Sequence, residues 1–296
     1  MRRLVRRARP HTATVSSQHL VPASGTGSDF AVTERDFQRV CGWLRDQCGM
    51  DYRANKRELL EHRMRRICEQ AHLGSMQELA ERLERGSDPA LSLAVLHGAS
   101  TNHTYFYREP QVLDTFARLV LPSLPRGELR IWSAAASSGD EAYTIAMIAA
   151  EVLGPEIARA SLSILGTDIS AVMIAAAEQA VYPQARLSGL PQGLRERYLR
   201  ELGDGQLRVV APLREMCTFR RLNLKVRPLP FQRSFHVVFC RNVLYYFDRE
   251  QQRATVEAIY EVTEPGGWLL TSVTEPLRDL GTRWLPVQGG VYRKAA

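Results

Sequence analysis

The sequence contains no apolar run long enough to cross a bilayer, which argues against a membrane-spanning helix. Its five cysteines form no C-x-x-C pair and lie near no histidine cluster, so neither a zinc site nor a disulfide framework is predicted. Paired arginines open the chain, but neither an apolar segment nor a small-residue cleavage site follows them. These absences predict a soluble, cytoplasmic protein that binds no metal.

Several catalytic motifs are also missing. The chain has no G-x-G-x-x-G fingerprint, no Walker lysine and no Ser-His-Asp order, which argues against phosphoryl transfer, metallohydrolysis and acyl-enzyme chemistry. A transfer reaction that chiefly needs two reactants to be aligned fits better. Methyl transfer from a sulfonium is such a reaction, because the donor brings its own leaving group.

Basic residues outnumber acidic ones by 39 to 32, which gives a formal net charge of +7. This excess favours an acidic partner, and the lack of a basic stripe interleaved with aromatics counts against nucleic acid. Residues 1–28 combine much of the excess charge with Ser, Thr, Gly and Pro. We predict that they form a disordered basic tail without a catalytic role.

A length of 296 residues favours two domains. Residues 29–98 are patterned as a small helical domain, with helix-start signals at Thr33, Ser75 and Asp88. Residues 99–128 are predicted as a linker with an inter-domain helix. From residue 129 to 296, strand-like and helical runs alternate, which is typical of a doubly wound parallel sheet.

The second predicted helix, residues 56–71, has one apolar and one basic face. Its helical spacing predicts burial of Leu59, Leu60, Met64, Ile67 and Cys68. The basic face carries Arg57, Arg63, Arg65 and Arg66.

Residues 183–222 are too long and varied for a simple crossover between strands. The runs QLRVVAPL and CTFRRLNL within them predict a small antiparallel β-subdomain packed beside the main sheet.

The segment from Ser133 to Gly139 follows a strand, opens a helix and consists of small residues, as a loop that binds a nucleotide would. Asp168 ends the next strand, where an acid can accept hydrogen bonds from ribose hydroxyls. A tight turn without a ligand and a helix-capping aspartate explain the same residues. On these patterns alone both interpretations stay open.

Five segments together resemble the CheR family of chemotaxis receptor methyltransferases: TNHTYFYRE, WSAAASSGDEAYTIAM, GTDIS, RLNL and CRNVLYYFD. The resemblance covers residues 30–294. It implies an α/β, Rossmann-like class I methyltransferase domain with a small antiparallel β-subdomain, preceded by an all-α N-terminal domain.

The resemblance also implies a cofactor and a substrate. The cofactor is S-adenosylmethionine, which leaves as S-adenosylhomocysteine. The activity is that of a protein-glutamate O-methyltransferase, which forms glutamate methyl esters on the acidic helical cytoplasmic domain of chemoreceptors. Neither nucleic-acid binding nor membrane insertion is expected, and we expect a monomer.

Residue roles follow from the same match. The family's G-E-E motif implies that its first acid contacts the cofactor's amino group; this chain has the shorter Asp140 there, followed by Glu141. The full cofactor set implied by the resemblance is Asn102, Thr104, Arg108, Ala134, Asp140, Asp168, Asn223, Leu224, Arg241 and Asn242.

A glutamate carboxylate is ionised at neutral pH, so its attack on a methyl group needs no general base. We expect Arg108 and Tyr246 to orient this carboxylate, with Arg108 also near the cofactor. The basic face of the second helix, with Arg57, Arg63, Arg65 and Arg66, is expected to dock the receptor.

Alternatives remain at the sequence level. Arg241 fits a structural salt bridge, Tyr246 a core aromatic, and the basic helix a merely solvated face. The whole chain also fits a non-catalytic signalling protein that binds S-adenosylmethionine or S-adenosylhomocysteine, or a class I methyltransferase acting on RNA or a small molecule.

Overall fold

The structure is a computed structural model that describes residue 30 and residues 32–52, 56–100 and 103–296. The predicted N-terminal tail and Asn102 lie outside the described residues. Among the described helices, none combines the length and the apolar character that spanning a membrane would need.

Four helices form the N-terminal part of the described chain: α1 Glu34–Cys48, α2 Arg57–Gln70, α3 Met76–Arg85 and α4 Pro89–Ala99. Their predicted start signals are confirmed. The Thr33 hydroxyl accepts a hydrogen bond from the amide of Asp36 at 3.1 Å, and Ser75 and Asp88 cap α3 and α4 in the same way. Each cap satisfies an amide that the first turn of a helix leaves without a partner.

Helix α2 buries four of its five predicted apolar residues, Leu60, Met64, Ile67 and Cys68. The prediction for Leu59 is wrong, because its side chain is 43% exposed. Leu59 lies about 100° around the helix axis from Leu60. It therefore shares a flank of α2 with Arg63 and Arg66, away from the core.

A helical connection with a π-helical centre leads from the N-terminal helices to the sheet. It consists of α5 Pro110–Thr115, the π segment Phe116–Val120 and α6 Leu121–Ser123. The remaining elements are β1 Leu129–Ser133, α7 Asp140–Leu153, α8 Pro155–Ser161, β2 Leu162–Asp168, α9 Ala171–Gln179, β3 Val181–Pro183, the 3₁₀ helix Gln184–Leu187, α10 Gln192–Tyr198, β4 Leu199–Gly203, β5 Gln206–Val209, α11 Ala211–Met216, β6 Cys217–Arg221, β7 Phe235–Phe239, the 3₁₀ helix Leu244–Tyr246, α12 Arg249–Glu261, β8 Thr263–Leu270, the 3₁₀ helix Arg278–Leu280, β9 Leu285–Gln288 and β10 Val291–Arg293.

The main sheet has the strand order β6-β2-β1-β7-β8-β10-β9. Its first five strands pair in parallel, and β10 pairs antiparallel with both β8 and β9. The predicted parallel sheet is confirmed. Since β2 and β7 flank β1 on opposite sides, the chain reverses direction across the sheet at β1, and such a switch point is where open α/β sheets bind ligands.

The three short strands β3, β5 and β4 form a separate antiparallel sheet. We use the name β-subdomain for this sheet, the 3₁₀ helix Gln184–Leu187 and α10. The predicted role of QLRV as one of its strands is confirmed. The prediction for CTFRR is wrong, because this run forms β6 and pairs in parallel with β2. Phe219 of β6 lies opposite Gly166, where a Cβ atom would come within 2.5 Å of the Phe219 ring, so the glycine makes room for this edge strand.

The helical part packs directly on the sheet. One apolar cluster runs from Leu44 and Leu60 of the helices to Trp132 and Val238 on one sheet face. The amide of Asp51 donates to the Tyr246 carbonyl at 2.7 Å, which joins the end of the helical part to the loop after β7. This packing places the start of α2 beside that loop.

Candidate active site

A cavity with about 960 Å³ of empty space, partly open to solvent, lies at the carboxyl ends of β1, β2 and β7. Residues from both the helical part and the sheet line it. The lining residues are Cys48, Met50, Ser100, His103, Thr104, Tyr105, Tyr107, Arg108, Leu113, Ala134, Ala135, Ser137, Glu141, Thr144, Asp168, Ile169, Leu222, Asn223, Leu224, Arg241, Asn242, Val243, Tyr246 and Phe247.

The loop after β1 forms one wall of the cavity with its backbone. The amide of Ala134 donates to the Phe239 carbonyl and that of Ala136 to the Thr167 carbonyl, both at 2.8 Å. These bonds tie the loop to both neighbouring strands. At Gly139, with φ of 89°, a Cβ would lie 3.0 Å from the Tyr182 hydroxyl, so the turn into α7 requires a residue without a side chain.

Asp168 ends β2 on the cavity wall, and its carboxylate accepts two backbone hydrogen bonds. The amides of Ser137 and Ser170 donate to its two oxygens, each at 2.9 Å. Burial raises the pKa of Asp168 above its ordinary value. Each carboxylate oxygen has a second lone pair, so the group can still accept hydrogen bonds from a ligand in the cavity.

A flap formed by residues 103–109 covers another side of the cavity. Tyr107 and Glu109 in the flap have φ values of 61° and 56°, and Asn242 opposite has 57°. The Glu109 carboxylate accepts hydrogen bonds from the Asn242 side-chain amide at 3.0 Å and the Ser272 hydroxyl at 2.8 Å. Positive φ values in non-glycine residues cost energy and cluster where surrounding contacts fix an active site.

Arg241 joins the flap to α7. Its guanidinium lies 3.0 Å from Glu141 and 3.4 Å from Glu109, and it also donates to the Arg108 carbonyl at 2.5 Å. The Arg241 side chain is only 2% exposed, whereas the Glu141 and Glu109 side chains are 13% and 16% exposed, so the ion pairs are largely shielded from solvent. The structural salt bridge that the sequence left open for Arg241 is therefore present, although the residue still lines the cavity.

Arg108 and Tyr246, which the sequence analysis expects to orient the substrate carboxylate, both line the cavity. The Arg108 guanidinium donates to the His103 carbonyl at 2.9 Å and lies 5.6 Å from the Tyr105 ring centroid. No carboxylate among the described residues pairs with it. Beside Tyr246, the ammonium of Lys56 lies 5.3 Å from its ring centroid, which places the start of α2 at the mouth of the cavity.

The structure does not bring Asp140 into the cavity. Its carboxylate is fully buried and accepts a hydrogen bond from Ser138 at 2.7 Å, with Arg186 at 3.4 Å. Glu141 lines the cavity instead, because successive helical residues point about 100° apart. Asp140, for which the resemblance implied a contact with the cofactor, therefore does not line the cavity, and Glu141 is the neighbouring acid that does.

Asn223 and Leu224, from the RLNL segment, both line the cavity, and Asn223 also connects the helical part to the sheet. Its side-chain amide donates to the Gln47 carbonyl at 2.6 Å, and its oxygen accepts from the Lys225 amide at 2.9 Å. Leu224 is buried and presents an apolar surface. Thr104, Ala134 and Asn242 also lie on the cavity wall.

The four arginines of α2 differ in surroundings. Arg57 pairs with Glu34 and Glu61, so its charge is neutralised. Arg63 donates to the Ala99 carbonyl at 2.8 Å, which gives it a structural contact. Arg65 and Arg66 are exposed, and Arg65 lies over the Phe30 ring. The four arginines therefore do not form one uniform row of unpaired charges, and their role in docking stays a prediction.

Sequence analysis missed three acidic residues that shape the site: Glu109, Glu141 as an ion-pair partner, and Glu275. Glu275 is buried and accepts hydrogen bonds from the amides of Asn242 and Tyr245, which fixes the loop after β7. Burial raises its pKa. Its position 33 residues after Asn242 gave no signal in the sequence.

Comparisons with known proteins agree with this architecture. The family model for the SAM-binding domain of CheR methyltransferase matches residues 102–290, and the model for the CheR all-alpha domain matches residues 35–95. Chemotaxis protein methyltransferase 2 of Pseudomonas aeruginosa is 34% identical over 254 residues, covering 83% of this chain and 88% of that protein. Chemotaxis protein methyltransferase 1 of the same organism is 33% identical over 270 residues, covering 87% and 97%.

A third relative, the chemotaxis protein methyltransferase of Borreliella burgdorferi, is 31% identical over 254 residues, covering 83% of this chain and 90% of the relative. The fold and the cavity thus define an S-adenosylmethionine-dependent methyltransferase of the Rossmann-like class. Within that class the chain belongs to the CheR methyltransferase family, whose all-alpha domain it also carries.

The residues of the cavity fit S-adenosylmethionine. Asp168 offers a buried carboxylate to ribose hydroxyls, and Leu222 and Leu224 offer apolar surface to a base. At the other side, Glu141 can accept from an amino group, and the Arg241 Nε is buried without an acceptor among the described residues. A carboxylate ligand would supply that missing acceptor.

Proposed function

We propose that this protein transfers a methyl group to glutamate side chains of the acidic helical cytoplasmic domain of chemoreceptors. The observation that carries the proposal is Arg108, a cation on the cavity wall without a carboxylate partner among the described residues. Such a guanidinium suits a carboxylate substrate, which it can hold by two parallel hydrogen bonds. The names of the relatives, chemotaxis protein methyltransferases, support a role in chemotaxis.

Bound S-adenosylmethionine would supply an electrophilic methyl group together with its own leaving group. Asp168 would hold the ribose, Glu141 the amino group, and the backbone of Ala134 would allow close approach. Asn223 and Leu224 would border the base. Fixing the donor in this way converts an encounter of two molecules into a reaction between aligned groups.

Arg108 and Tyr246 would position the glutamate carboxylate on the other side of the cavity. This carboxylate is ionised at neutral pH, so no residue has to remove a proton. The flap would limit the access of water to this carboxylate, and a lower local dielectric would strengthen its attraction to the guanidinium. Orientation and desolvation, rather than acid-base chemistry, are then the contributions of the protein.

The receptor would dock along the flank of α2 that leads from the cavity mouth. Lys56, Arg63 and Arg66 share this flank by their helical spacing, and Lys56 lies beside Tyr246. Rows of positive charge at this position would attract an acidic helix and set its register.

The test is transfer of a labelled methyl group from S-adenosylmethionine to a purified receptor cytoplasmic fragment. We expect base-labile label that disappears when the receptor glutamates are replaced by glutamine. Arg108→Ala should lower kcat about 100-fold while the Kd for S-adenosylhomocysteine stays within about threefold, since lost alignment costs rate rather than cofactor binding.

Arg118→Ala serves as the matched control, because Arg118 is exposed and does not line the cavity. Base-stable label, or normal turnover by a folded Arg108→Ala variant, would contradict the proposal. The non-catalytic alternative predicts no label at all, and none of the comparisons favours it.

A further inference from the structure

Arg186 belongs to the β-subdomain but reaches the loop that follows β1. It lies in the 3₁₀ helix Gln184–Leu187, between β3 and α10. Its guanidinium lies 2.5 Å from the Ser138 hydroxyl and 3.4 Å from the Asp140 carboxylate. This contact crosses from the β-subdomain to the turn between the cavity wall and α7.

The turn depends on this contact for its charge balance. The Ser138 hydroxyl donates to Asp140 Oδ2 at 2.7 Å, whereas Oδ1 is buried and has no donor among the described residues. The site solvates a negative charge poorly, and this burial raises the pKa of Asp140. Arg186 is the cation that compensates this carboxylate.

A second bond from the same residue holds the flap. The Phe106 amide donates to the Arg186 carbonyl at 3.4 Å, and the buried Phe106 ring packs edge-on against Tyr182 at 4.8 Å. The Tyr182 hydroxyl in turn donates to the Ser138 carbonyl at 2.6 Å. The flap residues on either side of Phe106, Tyr105 and Tyr107, line the cavity.

We propose that Arg186 is a positioning residue for S-adenosylmethionine, because it fixes two walls of the cofactor cavity from the β-subdomain. Its guanidinium holds the turn of Ser138 and Asp140, and its carbonyl holds the flap. Asp140 takes part in the same set of contacts, because its carboxylate bonds Ser138 and pairs with Arg186. Asp140, for which the resemblance implied a contact with the cofactor, is in this structure the internal partner of Arg186.

The test is calorimetric titration of the full chain with S-adenosylhomocysteine. Arg186→Gln should weaken binding about tenfold, because a buried carboxylate loses its charged hydrogen-bond partner and the turn shifts. The receptor KM should not change. Adding Asp140→Asn to Arg186→Gln should recover at least half of the loss on a logarithmic scale, because no buried charge then lacks a partner.

Arg197→Gln is the matched control, because Arg197 pairs with Glu151 at 2.7 Å and so links the β-subdomain to the far end of α7. It should bind like the natural protein. Unchanged affinity in folded Arg186→Gln, or an equal loss in Arg197→Gln, would overturn the proposal. If Arg186→Gln does not fold, Arg186→Lys replaces it as the test variant, because it keeps the charge. Arg186→Lys should lose less affinity for S-adenosylhomocysteine than is expected of Arg186→Gln. Natural affinity in Arg186→Lys together with a raised receptor KM would also overturn the proposal.

Discussion

Two parts of the cavity wall are built differently. We call the part around Asp168 and Arg241 the inner end, and the part around Arg108, Tyr246 and Lys56 the mouth. At the inner end, the buried Asp168 accepts hydrogen bonds from two backbone amides, and the buried Arg241 pairs with two carboxylates that are each less than a fifth exposed. At the mouth, Arg108 is half-buried, contacts a carbonyl and an aromatic ring, and pairs with no carboxylate among the described residues. Apart from the Arg241 Nε, the charged groups at the inner end thus already have partners within the protein, whereas the mouth has charge available for an incoming carboxylate.

This difference separates two tasks. A cofactor that returns in every cycle benefits from groups that are already in place, because their ordering is part of the folding of the protein. A protein substrate brings its own charge, so the cations that meet it must not be neutralised beforehand. Variants at the two ends should therefore change different quantities.

The largest effect is expected at Arg241. Arg241→Ala leaves Glu109 and Glu141 near each other in a mostly buried site without a cation, which should lower the free energy of unfolding by about 3 kcal/mol, the lower end of the range for a broken buried pair. Thermal unfolding measures this loss. Arg233→Ala, which breaks an exposed pair with Glu128 at 2.7 Å, should leave the melting temperature unchanged. Equal melting of the two variants would show that the inner end is not held by its ion pairs.

The second effect is loss of cofactor affinity at Asp168. Asp168→Ala should raise the Kd for S-adenosylhomocysteine at least about 100-fold, as expected from two charged hydrogen bonds of about 1.5 kcal/mol each. Calorimetry measures this change. Asp168→Asn keeps one oxygen acceptor and should lose about tenfold, since one hydrogen bond is retained. Near-natural affinity of Asp168→Ala would leave the residue with only its turn-forming role.

Local signals made part of this structure predictable. A hydroxyl or carboxylate just before an apolar run marked the starts of α1, α3 and α4, because capping involves residues only a few positions apart. The positions of the small-residue loop and of Asp168 were predictable for the same reason, because the loop directly follows β1 and Asp168 ends β2.

Contacts between distant residues were not predictable. The partner of β6 depends on where Phe219 meets Gly166, 53 positions earlier in the chain, and not on the pattern of β6 itself. Glu109 and Arg241 are separated by 132 positions, so nothing near either one marks their ion pair. The exchange of Asp140 for Glu141 at the cavity depends on the rotational phase of α7, which a sequence motif does not specify.

A smaller effect is expected at the mouth, on receptor binding. Arg66→Glu should raise the receptor KM about fivefold at low salt, because Arg66 lies on the flank of α2 that leads to Tyr246. Methylation assays at several receptor concentrations measure it. Arg65→Glu makes the same charge change on the side facing Phe30 and should have little effect. Equal increases in both variants would mean that overall charge, not a docking flank, attracts the receptor.

The smallest effect distinguishes two roles of Asn223. Its side-chain amide already donates to the Gln47 carbonyl, so Asn223→Ala should raise the Kd for S-adenosylhomocysteine less than about threefold, because the hydrogen bond that is lost joins two parts of the protein. Limited proteolysis should show easier cleavage between the helical part and the sheet, because an inter-domain bond is lost. A tenfold loss of affinity without altered proteolysis would instead assign Asn223 to the base of the cofactor. A residue at the junction of the helical part and the sheet would then belong to the cofactor site itself.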